Sequence, residues 1–152
     1  MSTPHADDPF NLQRFVTAQQ HVFDKVTQEL RGGEKRSHWM WFIFPQVHGL
    51  GRSSMAEKFA ISSKHEALAY LQHPLLGARL RECTLLVNGV QGRSLDQIFG
   101  SPDNFKFRSS MTLFAHVAPD DSVFLEALRK YCRGEPDPKT LEILRSQERD
   151  QS

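Results

Sequence analysis

The stretch Glu34 to Met55, EKRSHWMWFIFPQVHGLGRSSM, restricts what this chain can become more than any other segment does. Inside it, Trp39-Met40-Trp41-Phe42-Ile43-Phe44 is an unbroken apolar run. It is too short to cross a bilayer, which takes about 20 apolar residues. Its side chains must therefore be buried in protein. Polar groups flank it, with Lys35, Arg36, Ser37 and His38 before it and Gln46, His48, Arg52, Ser53 and Ser54 after it. An apolar segment with a polar, glycine-bearing exit suits one wall of a pocket.

The run reads as a short helix from His38 to Phe44, capped by Ser37 and ended by Pro45. A buried strand is the rival reading, because period alone cannot assign a short apolar run. No second convincing strand exists to pair with it, which favours helix. Before it, Leu12, Phe15, Val16, Gln19, Val22, Phe23, Val26 and Leu30 follow three-and-four spacing and Gly32-Gly33 supplies a stop, predicting one long first helix. After it, Ser54-Met-Ala-Glu57, Ser63-Lys-His-Glu66 and Ser94-Leu-Asp-Gln97 fit capping boxes. His73-Pro74 separates two helices, and the second carries Leu76, Leu80, Cys83, Leu86, Val87 and Val90 on one face. Ser101-Pro102-Asp103 opens a helix to about Val117, with Ser101 as its cap. Asp120 to Ser122 and Asp137-Pro138 start the last two. The sum is an all-α, compact, irregular domain of about eight helices. It spans residues 8–146, with flexible termini at 1–7 and 147–152.

Nineteen basic and eighteen acidic side chains almost cancel, which argues against a dedicated nucleic-acid binder. The composition, 39% hydrophobic and 24% charged, is that of an ordinary globular protein. Cys83 and Cys132 match no metal spacing and read as two reduced, buried thiols in a cytoplasmic protein. The N-terminus carries no signal-peptide core, and no membrane segment is expected. Seven histidines include no pair at ligand spacing with a nearby acid, so neither a metal nor a cofactor is expected. Oligomeric state is not encoded in any motif.

Three polar groups could carry chemistry. Gly49-Leu-Gly51-Arg52-Ser53-Ser54 puts glycines, an arginine and hydroxyls before a helix start, where free N–H groups favour an anion. It lacks the Gly-Lys-Ser/Thr ending of a Walker loop, and a plain helix-entry turn is the favoured reading over an anion contact. Asp103, Lys106 and Ser110 fall near one helical face, and Ser109-Ser110 are poor helix formers that can mark a site or a close helix contact. His73 and Arg79 form the third group. The rings of Trp39, Trp41, Phe42 and Phe44 suit core packing, or stacking on a base.

Five motifs recur together in one known family. They are Ser37-His-Trp-Met-Trp-Phe-Ile-Phe-Pro-Gln46, Gly49-Leu-Gly-Arg-Ser53, His73-Pro-Leu-Leu-Gly-Ala-Arg-Leu80, Phe99-Gly-Ser-Pro-Asp103 and Lys106-Phe-Arg-Ser-Ser-Met-Thr-Leu-Phe114. The chain resembles, over roughly Asp8 to Leu144, a family of small bacterial all-helical proteins of unknown function to which the name calpastatin is sometimes attached. Calpastatin inhibitory segments are disordered, whereas this chain has the apolar content to fold. The resemblance implies a helical fold and no established activity. The order of elements is also loosely similar to helical hydrolases acting on N-glycosidic bonds in ADP-ribose-type or riboflavin-precursor compounds. Glu34 precedes the aromatic run here rather than lying within it.

Two functional expectations follow. One is a site for a phosphorylated or nucleotide-like small molecule. Its anion contacts would be Arg52, Arg79 and Lys106, and its polar lining Gln46, Ser53 and Ser110. Trp41 would stack on the ligand, and His38 or Asp103 would act as acid or base. The alternative is a non-catalytic interaction or homodimeric module with a purely structural aromatic stretch.

Overall fold

The computed structural model describes residues 7–150. Of the ends expected to be flexible, 1–6 and 151–152 lie outside the described residues, whereas 147–150 belong to the last helix. Ten helices and no strands are found among the described residues, in the order α1 (Gln13–Gln19), α2 (Phe23–Arg31), α3 (Met40–Ile43), α4 (Ser54–Lys58), α5 (Lys64–Gln72), α6 (Leu76–Asn88), α7 (Leu95–Phe99), α8 (Asp103–Val117), α9 (Ser122–Cys132) and α10 (Pro138–Asp150). Among the described residues no helix is long and apolar enough to cross a membrane.

The first helix differs from the expected single one. The chain tightens at Val22, whose N–H bonds to the Gln19 carbonyl at 3.1 Å, and α2 starts afresh. Gln19 is 1% exposed, and its amide donates to the Phe42 carbonyl (2.7 Å) and the Tyr70 hydroxyl (3.2 Å). The break thus ends α1 at a side chain that ties it to α3 and α5. At the C-terminus α10 runs past Gln147, whose amide donates to the Ser62 carbonyl at 3.0 Å.

α8 is the central element, packed on α5, α7, α9 and α10. Residues Ser109 to Phe114 are all buried, so no face of this stretch meets water. Two of its three hydroxyls are accommodated locally, and that of Ser110 has no partner. Ser109 Oγ donates to the Phe105 carbonyl (3.1 Å) and Thr112 Oγ1 to the Arg108 carbonyl (2.8 Å), each one turn back. Small side chains here let neighbouring helices come close.

α3 is the aromatic hub. Phe44 meets Phe99 and Phe107 edge-on, with ring centres 5.9 and 5.0 Å away, and Phe42 meets Phe59 at 5.4 Å. From Phe59 the ring contacts continue through Phe15, Tyr70 and Phe114 to Phe124. Of the six-residue run only Trp41 is partly exposed.

Ser37 does not cap this helix as expected. Its hydroxyl donates instead to the buried Glu29 carboxylate on α2, which also receives the N–H groups of Arg36 (2.7 Å) and Ser37 (3.0 Å) and the Trp39 indole N–H (3.0 Å). Burial alone would raise this carboxyl's pKa. The Ser37 hydroxyl, the two backbone donors and the indole outweigh it and bring the pKa down to about 2. Among the other caps, Ser94 and Gln97 form the full reciprocal box. Ser63 caps α5 alone, because the Glu66 carboxylate turns to Ser62 and Arg14. At α4 the cap is Ser53 rather than Ser54, and at α8 no side chain caps in the place expected of Ser101.

A carboxyl held below its ordinary value contributes stability above about pH 4.5, and that contribution is lost as pH falls toward about 2. Replacing Glu29→Gln is expected to cost about 2 kcal/mol at pH 7, after allowance for solvent screening, and nearly nothing at pH 2. Urea denaturation of both forms across this range measures it.

Candidate functional site

The segment after α3 is pinned at its base and left open at its tip. Ile61 N–H bonds to the Gln46 carbonyl and His48 N–H to the Ile61 carbonyl, both at 2.8 Å, making one parallel bridge between buried Val47 and Ile61. Gly49, at φ +106, turns the chain beyond it. At Gly51 a Cβ would stand 2.7 Å from that of Ala56, so only glycine lets the loop close against α4. Ser53 then caps α4 by accepting the Ala56 N–H at 3.1 Å.

This loop faces the first turns of α8 and α10 across an open cleft of about 390 Å³. Four of the expected site residues line it: Gln46, Arg52, Ser53 and Lys106. Arg52 and Lys139 are exposed on its rim with no hydrogen bond or ion pair among the described residues. With Lys106 they set three cations against one lining carboxylate, Asp137. That carboxylate is already engaged. Its Oδ2 accepts from the Thr140 N–H (3.0 Å) and hydroxyl (2.5 Å) and so caps α10, and it shares the Ser109 hydroxyl proton (3.2 Å) with the Phe105 carbonyl. The lining thus carries three cationic side chains to one carboxylate, the excess of positive charge that an anion site requires.

Two further expected residues stand behind Lys106. Asp103 bridges the Lys35 ammonium at 2.9 Å and that of Lys106 at 3.5 Å. The Lys106 ammonium also lies 5.2 Å from the centre of the Trp41 ring. Trp41 therefore meets the cation and does not line the cleft, whose aromatic wall is Phe105, 61% exposed.

The remaining three are placed elsewhere. His38 is exposed and lies outside the cleft lining. Arg79 is spent on Gln19 (3.3 Å) and on the Phe23 ring, 4.6 Å from its centre. Ser110 is fully buried, with no partner for its hydroxyl, and also lies outside the cleft lining. Ser109, one residue earlier, lines the cleft instead. Lys139, Asp137 and Phe105 were not expected. Asp137-Pro138 was legible as a helix start, but nothing local says that this start faces the loop at 49–53.

Neither cysteine is poised to react. Burial pushes the Cys83 thiol up to about 12 and raises that of half-buried Cys132. No three His, Cys, Asp or Glu side chains gather as a metal site among the described residues.

Fold and site together define the class: an all-α domain bearing an open, cationic cleft between a glycine-containing loop and its central helix. The chain belongs to the family described as "Protein of unknown function (DUF1810)", whose model matches residues 9–144. The five motifs had pointed to just such an uncharacterised helical family. The chain is also similar to the conserved hypothetical protein Rv1873 from Mycobacterium tuberculosis, whose crystal structure has a TM-score of 0.89. The two are 56% identical over 90% of this chain and 98% of that one. No curated protein matches the chain.

The Asp103 bridge makes a stability prediction. The Lys35 side chain is only 8% exposed, so Asp103→Asn leaves a nearly buried ammonium with its ion-pair partner removed. A loss of about 2 kcal/mol is expected, and adding Lys35→Met should recover most of it. Thermal or chemical denaturation of the single and double variants checks both steps.

Proposed function

We propose that this protein binds a phosphorylated or nucleotide-like small molecule, of the ADP-ribose or N-glycoside type, in the cleft between the 46–56 segment and α8. One observation carries the reading: Arg52, Lys106 and Lys139 surround an opening whose only lining carboxylate is committed to a helix cap. Arg52 and Lys139 stand without partners at the rim and suit phosphate oxygens. Lys106 is held in place by Asp103 from one side and Trp41 from the other. Gln46 and Ser109 offer neutral polar contacts, and Phe105 an aromatic face.

The reading concerns binding. Asp103 is bridged by two lysines and Asp137 caps a helix, so the two carboxylates nearest the cations serve structure. His38, the other group considered for proton transfer, lies outside the cleft lining. The alternative interaction module has less to stand on. Among the described residues the large apolar side chains left exposed are Leu75, Leu85 and Phe105, and Phe105 belongs to the cleft itself.

Titration calorimetry at low salt with ADP-ribose and inorganic pyrophosphate tests the proposal. Binding is expected to weaken about tenfold in Arg52→Ala and in Lys139→Ala, the loss of one charge-assisted contact each. It should also fall with added salt. No heat from either compound at millimolar concentration, or unchanged affinity in both variants, contradicts it.

A further inference from the structure

Phe105 lines not one cleft but two. On its other flank lies an opening of about 410 Å³ between α7, α8 and the end of α9. Asn104 lines this second cleft and is 9% exposed. Its amide N–H donates to Asp96 Oδ1, which fixes which end of the amide is which. The other end, Oδ1, is buried and accepts no hydrogen bond. A buried acceptor left unmet is rare and calls for an explanation. Beside it, Asp96 is a second acceptor and the exposed Phe105 ring is one wall. Tyr131 is another wall, its hydroxyl tied to the Val87 carbonyl at 2.5 Å. Arg133, also lining, sits in the left-handed region at φ 58.

We propose that this second cleft takes the base of an amino-bearing purine nucleotide whose phosphates occupy the first cleft. The proposal rests on the anion-binding reading above and names the ligand's other half. The chemistry is donor against acceptor. An exocyclic amino group carries two N–H donors; Asp96 in the lining supplies one acceptor, and Asn104 Oδ1, which the lining covers, supplies the second once the entering base displaces that cover. The planar ring lies against Phe105 and Tyr131, as flat π-faces do on aromatic side chains. Because Phe105 borders both openings, one ligand bent over that ring fills both, with its charged end toward Arg52, Lys106 and Lys139.

The two clefts can be tested separately. Adenosine, which has no phosphate, probes the second, and inorganic pyrophosphate probes the first. In ¹⁵N–¹H spectra adenosine is expected to shift the Asn104 side-chain amide and the Phe105 backbone signal. AMP and ADP should bind at least tenfold more tightly than adenosine, and UMP more weakly than AMP. Phe105→Ala, at an exposed position, should weaken adenosine at least fivefold and leave the fold intact. Asn104→Leu should abolish the adenosine response and leave that of pyrophosphate. If Asn104→Leu does not fold, the wild-type shifts and Phe105→Ala decide. Pyrophosphate binding with no adenosine-induced shift at Asn104 overturns the base site and leaves the anion site standing. Adenosine binding unaffected by Phe105→Ala also overturns it. Failure of pyrophosphate alone counts against the first cleft.

Discussion

A single carboxylate, that of Glu29, organises the entry to the aromatic hub. Removing an ionised group from water is costly unless donors replace the lost hydration. Here the Ser37 hydroxyl, two backbone N–H groups and the Trp39 indole do so together. The consequence is geometric. Three of these donors belong to the short segment Arg36–Ser37, and the fourth to the residue just before α3. Satisfying one oxygen pair therefore fixes where α3 begins and which of its rings turn inward. Phe44 then meets Phe99 and Phe107, while Phe42 meets Phe59.

The same segment reaches the cleft by a second ionic link. Lys35, next to the Glu29-bound stretch, crosses to Asp103 at the start of α8, and Asp103 also holds Lys106. The core and the cleft are thus joined through one aspartate between two lysines. On the opposite side, the backbone pairing of Gln46 and His48 with Ile61 sets the loop that carries Arg52. Both walls of the cleft consequently depend on where the chain enters and leaves α3. Of the three cations at the cleft, Lys106 is the one held in place, by Asp103 and the Trp41 ring.

Much of the fold could be read directly because its signals are local. Proline after Phe44, the Ser94–Gln97 box and the glycine after α6 act within a few residues of where they sit, and the helices follow them. The misreadings come from side chains whose partners are distant in sequence. Ser37 is a good cap by type, but Glu29 takes its hydroxyl. Glu66 completes a capping box by spacing, but Arg14 and Ser62 claim its carboxylate. The periodic pattern through Val22 hides the break after Gln19, whose amide is needed by Phe42 and Tyr70. The site follows the same rule. Gln46, Arg52, Ser53 and Lys106 were recognisable from polar residues crowding a glycine turn and a helix start. Lys139 and Phe105 were not, because facing across a cleft is a tertiary property. Ser109 and Ser110 stood out as poor helix formers, and their small size matches a helix buried on every side.

The account turns on whether the loop at 49–53 and the starts of α8 and α10 together hold an anion. Diffraction from a crystal soaked in sodium tungstate, read by its anomalous signal, addresses this most directly. The account predicts a peak in the cleft within hydrogen-bonding distance of the Arg52 guanidinium and the Lys139 or Lys106 ammonium. An empty cleft in a crystal where tungstate binds at other surface cations would contradict it.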